Sequence, residues 1–150
     1  NCTLGDHAIL VNGALLGGYV SVGARAIISG NAGVHQFVRI GELAMIGGLS
    51  KITQDIPPFL MFDGHGVCVG LNVVGMRRAG IPAADRAEIK TAYRRLYRVA
   101  GSFSAALESL GGELQTPIGR KFLEFLQAPS KRGIHGHAAD VEIVPLPEAA

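Results

Sequence analysis

The 150-residue sequence predicts a parallel β-helix followed by a small α-helical domain, and three observations carry that expectation. Nine aliphatic residues recur every six positions: Leu4, Leu10, Leu16, Val22, Ile28, Val34, Ile40, Ile46 and Ile52. Four residues after each stands Ala8, Ala14, Val20, Ala26, Ala32, Val38, Ala44, Ser50 or Ile56, so the fifth place of every hexad is small or β-branched. The register stops at Asp55-Ile56-Pro57-Pro58, and from Pro82 the texture becomes that of an amphipathic helix.

Six residues are too few for a hairpin and the wrong period for a helix, but three short strands and three tight turns close one triangular coil of eighteen residues. Stacking by eighteen sets Leu4 under Val22 and Ile40, Leu10 under Ile28 and Ile46, and Leu16 under Val34 and Ile52. Coils held together backbone to backbone rise by about 4.8 Å each. Gly5, Gly17, Gly23, Gly41 and Gly47 follow the aliphatic residue and read as corner residues that supply unusual φ values. His35 replaces glycine in the column of Gly17 and Thr53, so it should project from the coil as a polar cleft residue, with Gln36 beside it.

Residues 1–56 form the coil domain in this reading, because Pro57 and Pro58 cannot donate to a continued ladder. Residues 57–81, with Gly64, Gly66 and Gly70, read as a connecting loop region. Pro82 suits a first helical turn; Ile89, Ala92, Leu96 and Val99 make one stripe, while Arg86, Lys90, Arg94 and Arg98 fall outside it. Short helices follow over about 103–110 and 117–127, separated by Gly111-Gly112 and opened by Thr116-Pro117. Residues 82–134 thus make a helical domain. Residues 135–150, with Pro145, Pro147 and no periodicity, read as a disordered tail.

No run of eighteen apolar residues exists and no basic segment followed by an apolar stretch opens the chain, so neither a membrane span nor a signal peptide is indicated and cytoplasmic residence is the default. Cys2 and Cys68 are too few for a disulfide framework or a zinc knuckle and read as packing residues; no metal and no cofactor is implied. Net charge is +2, but residues 77–134 carry eleven basic and five acidic side chains, which predicts an acidic partner; no nucleic acid is expected under the family resemblance given below.

Gly33-Val34-His35-Gln36-Phe37, Gly47-Gly48-Leu49-Ser50, Gln54-Asp55-Ile56-Pro57-Pro58-Phe59 and Gly70-Leu71-Asn72 with Gly75-Met76-Arg77-Arg78 resemble the acyl-[acyl-carrier-protein]:UDP-N-acetylglucosamine O-acyltransferases, which open lipid A biosynthesis. The resemblance runs from Asn1 to about Ile134. It implies an all-β left-handed parallel β-helix of hexapeptide repeats with a small α-helical C-terminal domain, a homotrimer, active sites in clefts between subunits, and acyl carrier protein and UDP-N-acetylglucosamine as partners.

The same resemblance implies site roles. The backbone N–H of Gly18 would hold the oxyanion, with His35 supporting; Gln36, Asn72, Arg77 and Arg78 would bind substrate, arginine suiting a diphosphate through paired planar donors. Met45, Gly48 and His65 would line the acyl-chain pocket, the absent side chain of Gly48 leaving room for a long donor. Tyr19 stands where the family often has histidine, Val74 where it has an acidic residue, and Ala79 where it has a second arginine that Arg77 could replace. Arg86, Lys90, Arg94, Arg95, Arg98, Arg120 and Lys121 could steer an acidic carrier protein.

In the family the general base is a histidine just before the Asn1-Cys2 position, so the sequence is expected to be the C-terminal half of a longer protein, inactive alone and uncapped beneath Leu4, Leu10 and Leu16. Three other readings compete with this one. A hexapeptide-fold zinc hydratase would need three converging histidines, whereas His7 and His35 are twenty-eight residues apart and fall on different edges. A related UDP-acylglucosamine N-acyltransferase lacks the Asn-x-x-Gly-x-x-Arg-Arg run. A non-catalytic trimeric scaffold would explain the departures at Tyr19, Val74 and Ala79.

Overall fold

The computed structural model describes residues 1–136; the proline-rich part of the tail expected to be disordered lies outside the described residues. Nine two-residue strands make three complete coils of a left-handed parallel β-helix: β1 (Thr3–Leu4), β2 (Ile9–Leu10), β3 (Leu15–Leu16), β4 (Ser21–Val22), β5 (Ile27–Ile28), β6 (Gly33–Val34), β7 (Arg39–Ile40), β8 (Met45–Ile46) and β9 (Lys51–Ile52). Leu4 pairs with Val22 and Val22 with Ile40, and the other two faces follow the same eighteen-residue register. Val22, Ile28, Val34, Ile40, Ile46 and Ile52 are buried with Val20, Ala26, Ala32, Val38 and Ala44 between them. Each aliphatic column member contributes about 1.5–3 kcal/mol by leaving water. In the first coil Leu4 and Leu10 remain 50% and 39% exposed, having neighbours on one side only.

The corner glycines do a different job from the one expected. Gly5, Gly17, Gly23, Gly41 and Gly47 do not have positive φ; the left-handed residues stand two places later, at His7, Gly13, Tyr19, Arg25, Asn31, Phe37, Leu43 and Leu49. From the second coil on, the N–H groups of these residues donate to the preceding coil, as Arg25 does to Asp6 and Phe37 to Gly18 at 2.9 Å each, and His7 and Tyr19 of the first coil share the same corner conformation. What the glycines avoid is a clash: a Cβ on Gly5 or Gly17 would lie 2.5 Å from the backbone nitrogen of Ala24 or Gln36 in the next coil.

The coils also continue past Pro57-Pro58, contrary to the boundary and loop expected there. Ile56 bridges to Ile40, Phe59 N–H donates to the Glu42 carbonyl, and β10 (Leu60–Asp63) pairs in parallel with β8, Met61 to Met45 and Phe62 to Ile46. The register has dropped from eighteen residues to sixteen, which breaks the hexad signal while the stacking persists. Pro58 fits because it packs on Gly41, where a side chain would collide with its ring. β11 (Val67–Leu71) returns antiparallel to β10, and α1 (Val73–Arg78) follows, so 57–81 is structured throughout.

α2 (Ala83–Tyr97), α3 (Phe103–Leu110) and α4 (Pro117–Gln127) pack over this end. Ser102 and Thr116 cap α3 and α4, and Glu88 reaches across to accept from the N–H groups of Gln115 and Thr116 and the Thr116 hydroxyl. Ile89, Ala92 and Leu96 are buried as the stripe requires, but α2 ends at Tyr97 and Val99 lies beyond it, 56% exposed. Buried Asp55 accepts from the backbone N–H and Nε of Arg39, whose guanidinium lies over the Phe125 ring and ties α4 to the coils.

His135, assigned to the tail by sequence, is buried. Its N–H donates to the Asp55 carbonyl, its carbonyl accepts from the Tyr97 hydroxyl at 2.7 Å, and its Nε2 accepts from the N–H groups of Thr53 and Gln54. Burial pushes the imidazole down to about 4, only partly opposed by the Asp55 carboxylate. Gly66 leaves the room that the ring occupies. Burial likewise raises the Cys68 thiol to about 12, whereas Cys2, read as a packing residue, is exposed with its thiol directed at the Gly17 carbonyl at 3.2 Å.

Candidate active site

The prism has three corner columns, and the site residues named from sequence distribute among them. Gly17–Val20 and His35–Val38 stack at the first. Residues 5–8, 23–26 and 41–44 stack at the second, and residues 11–14, 29–32 and 47–50 at the third.

At the first corner Gly18 lies one coil below Gln36, and the Gly18 carbonyl accepts from Phe37 N–H. His35 and Gln36 are exposed, with His35 Nδ1 3.4 Å from the Gln36 carbonyl. Gly18 differs from its glycine neighbour. Its φ is not left-handed, a Cβ built on it would meet nothing within 4 Å, and its N–H finds no acceptor among the described residues. Neither conformation nor packing within this chain calls for glycine there. Tyr19 stacks on Phe37 at 5.3 Å and 9°, accepts from the Asn1 amide at 3.3 Å, and is 59% exposed; Lys131 caps the column over Phe37 at 4.4 Å.

Beside the second corner runs a groove of about 650 Å³. Its floor is the outward column Ile9, Ile27, Met45 and Met61, paired in register across four strands, and α1 forms its wall through Val73, Val74, Gly75 and Arg78. The Asn-x-x-Gly spacing has a local cause here. Asn72, buried, accepts from Gly75 N–H at 3.0 Å and donates to the Leu43 carbonyl at 2.9 Å, which locks α1 onto the coil; a side chain at Gly75 would collide with that amide. Arg78, Ala79, His7 and Arg25 also line the groove, whereas Arg77 is exposed and does not.

Gly48 stands at the third corner. The β10–β11 turn carrying His65 sits beside it, since Lys51 N–H donates to the Gly64 carbonyl at 2.8 Å and Ser50 Oγ to Asp63 Oδ1 at 3.4 Å. Within one chain, then, Gly18, His35 and Gln36 come together at the first corner, Met45, Asn72 and Arg78 come together in the groove, and Gly48 lies near His65 at the third corner, which borders the strand face carrying Met45; the first group stands apart from the other two. His7 and His35 lie at different corners. The basic surface is narrower than its charge count: Arg95 pairs with Glu113 and Lys121 with Glu42, and Arg86 donates to the Ile81 carbonyl, while Lys90, Arg94 and Arg98 line one hollow with Leu71, Tyr93 and Val99. Sequence reasoning passed over Arg25 and weighed His7 only as a zinc ligand; the signal that joins them is their eighteen-residue spacing at one corner.

Fold and site together define a hexapeptide-repeat β-helix carrying a helical C-terminal unit. A family profile described as UDP N-acetylglucosamine O-acyltransferase, domain 2, matches residues 55–135, and the chain belongs to that family. It is 50% identical over 111 residues to an acyl-[acyl-carrier-protein]–UDP-N-acetylglucosamine O-acyltransferase of Verminephrobacter eiseniae, covering 73% of this chain and 42% of that protein. The Synechocystis protein of the same name is 41% identical over 131 residues, covering 87% and 48%. Among solved structures, the Francisella novicida UDP-N-acetylglucosamine acyltransferase superposes with a TM-score of 0.85 at 30% identity, covering 99% of this chain and 56% of that one. The Arabidopsis enzyme gives 0.81 at 33%, covering 89% and 50%. The chain spans about half the length of the curated relatives it matches. Among the described residues no helix is long and apolar enough to cross a membrane.

Proposed function

We propose that the full-length protein moves a 3-hydroxyacyl group from acyl carrier protein to the 3-hydroxyl of UDP-N-acetylglucosamine, the first step of lipid A biosynthesis, in the cytoplasm. The observation that carries this is Gly18, a corner glycine whose N–H has no acceptor among the described residues and whose approach is open beside His35 and Gln36. A base takes the proton of the sugar hydroxyl, the oxygen attacks the thioester carbonyl, and the oxyanion of the tetrahedral intermediate is held by the Gly18 N–H. Collapse breaks the carbon–sulfur bond, and the thiolate recovers the proton from the base. The family resemblance supplies that base as a histidine one coil below Gly18, ahead of Asn1. His35 and Gln36 orient the sugar.

In this reading the protein is a homotrimer that brings the first corner of one subunit against the groove of the next. Asn72 and Arg78 then face the nucleotide, with Arg77 at the outer edge of α1, and Met45, Gly48 and His65 set the far end of the acyl slot. Lys90, Arg94 and Arg98, which have no ion pair among the described residues, suit docking of an acidic carrier protein. An acyl-transfer assay on the full-length protein with UDP-N-acetylglucosamine and hydroxyacyl carrier proteins of several chain lengths tests it. Formation of the 3-O-acyl sugar nucleotide is expected; carrier thioester left intact by a folded protein would overturn it.

A further inference from the structure

The groove beside the second corner is apolar along its floor and has two arginines in its lining. Arg25 enters from the coil and Arg78 from α1, and His7 lies one coil below Arg25 in the same column. Among the described residues neither arginine has a carboxylate within ion-pairing distance. Two guanidiniums that share one groove without a counter-ion among the described residues are matched by a ligand with two adjacent anionic groups, since each planar fork takes two oxygens. Ala79 lines the same groove and offers no charge, and Arg77 does not line it, so the second cation available there is Arg25.

We propose that Arg25 is a substrate-specificity residue that pairs with Arg78 on the diphosphate of a bound nucleoside-diphosphate sugar. This rests on the groove being the nucleotide site. Arg25 sits at φ +57° on an exposed corner, so asparagine, which tolerates that conformation, removes the charge with little cost to the fold. Its backbone N–H bond to the Asp6 carbonyl is kept in any variant.

Titration calorimetry on the full-length protein with UDP and with uridine as probes tests the assignment. Arg25→Asn is expected to weaken UDP about tenfold, or about 1.4 kcal/mol, and to leave uridine within about twofold. Arg25→Lys should recover part of the loss, and Arg78→Ala should behave like Arg25→Asn. UDP affinity unchanged in Arg25→Asn while Arg78→Ala loses it would overturn the role of Arg25 alone. Equal losses for UDP and uridine would show that Arg25 only shapes the groove, and would also overturn it. A wild-type protein that binds neither probe would remove the nucleotide reading of the groove itself.

Discussion

Alanine at Gly17 and alanine at Gly18 add the same methyl group to adjacent residues of one corner, and the structure gives them opposite consequences. At Gly17 the new Cβ would lie 2.5 Å from the nitrogen and 2.9 Å from the Cα of Gln36. Backbone cannot rotate away as a side chain can, so two coils must part and the hydrogen bond from Gly17 N–H to the Val34 carbonyl, 2.8 Å, must stretch. Overpacking of this kind costs about 1–3 kcal/mol, a drop of several degrees in Tm. At Gly18 nothing lies within 4 Å and φ is ordinary, so alanine should be neutral or stabilise by about 0.4–1 kcal/mol through the unfolded chain. That methyl nonetheless stands in the path to the Gly18 N–H. A displacement of about 1 Å at a reacting carbon can cost about a hundredfold, so kcat/KM for acyl transfer should fall at least about tenfold. Thermal melts and steady-state kinetics on the full-length protein read both effects. A Gly18→Ala protein as stable as wild type and fully active would refute the oxyanion assignment; a Gly17→Ala protein with unchanged Tm would refute the stacking explanation for the corner glycines.

Buried His135 makes stability depend on pH. Its folded value is depressed to about 4, so between pH 6.5 and 4 the unfolded chain takes a proton that the folded chain resists. Stability from this residue is complete above about pH 6.5, declines by up to about 3 kcal/mol as pH falls to 4, and levels off below. Chemical denaturation of wild type and His135→Gln across that window should show the slope in the first and its loss in the second; parallel profiles would count against the assignment. Gly48→Met should shift donor preference toward shorter hydroxyacyl chains, read by competing carrier proteins in one assay, and an unchanged ratio would remove Gly48 from the pocket. Carrier-protein affinity should weaken with added salt and fall at least about fivefold in Lys90→Glu/Arg94→Glu, with UDP binding unaffected; indifference to both would exclude that hollow as the docking surface.

The coil core was legible because each interior place is filled on a strict period, and no compensating contact disguises it. The fourth coil was not. Its two-residue contraction between Ile52 and Ile56 destroys the period while Ile56, Phe59 and Phe62 keep the interior filled, and Pro58 is accommodated only because of Gly41, seventeen residues earlier. Positive φ at Phe37, Leu43 and Leu49 is equally silent in sequence, since it accompanies the inter-coil hydrogen bonds of the corner and not a residue type. His135 looked like tail because its partners, Asp55, Tyr97 and the Thr53–Gln54 backbone, are all distant in sequence. For the site, the spacing of His35, Gln36 and Gly18 was enough to place them at one corner. The groove shared by Arg25, Met45 and Arg78 needs α1 folded back over the sheet, which no local pattern announces.

The location of UDP-N-acetylglucosamine bound to the full-length protein tests the central claim most directly. The nucleotide should lie in the Arg25–Arg78 groove of one subunit, with its sugar 3-hydroxyl reaching the Gly18–His35 corner of a neighbour. A sugar nucleotide bound elsewhere, or a groove that no neighbouring corner approaches, would contradict it.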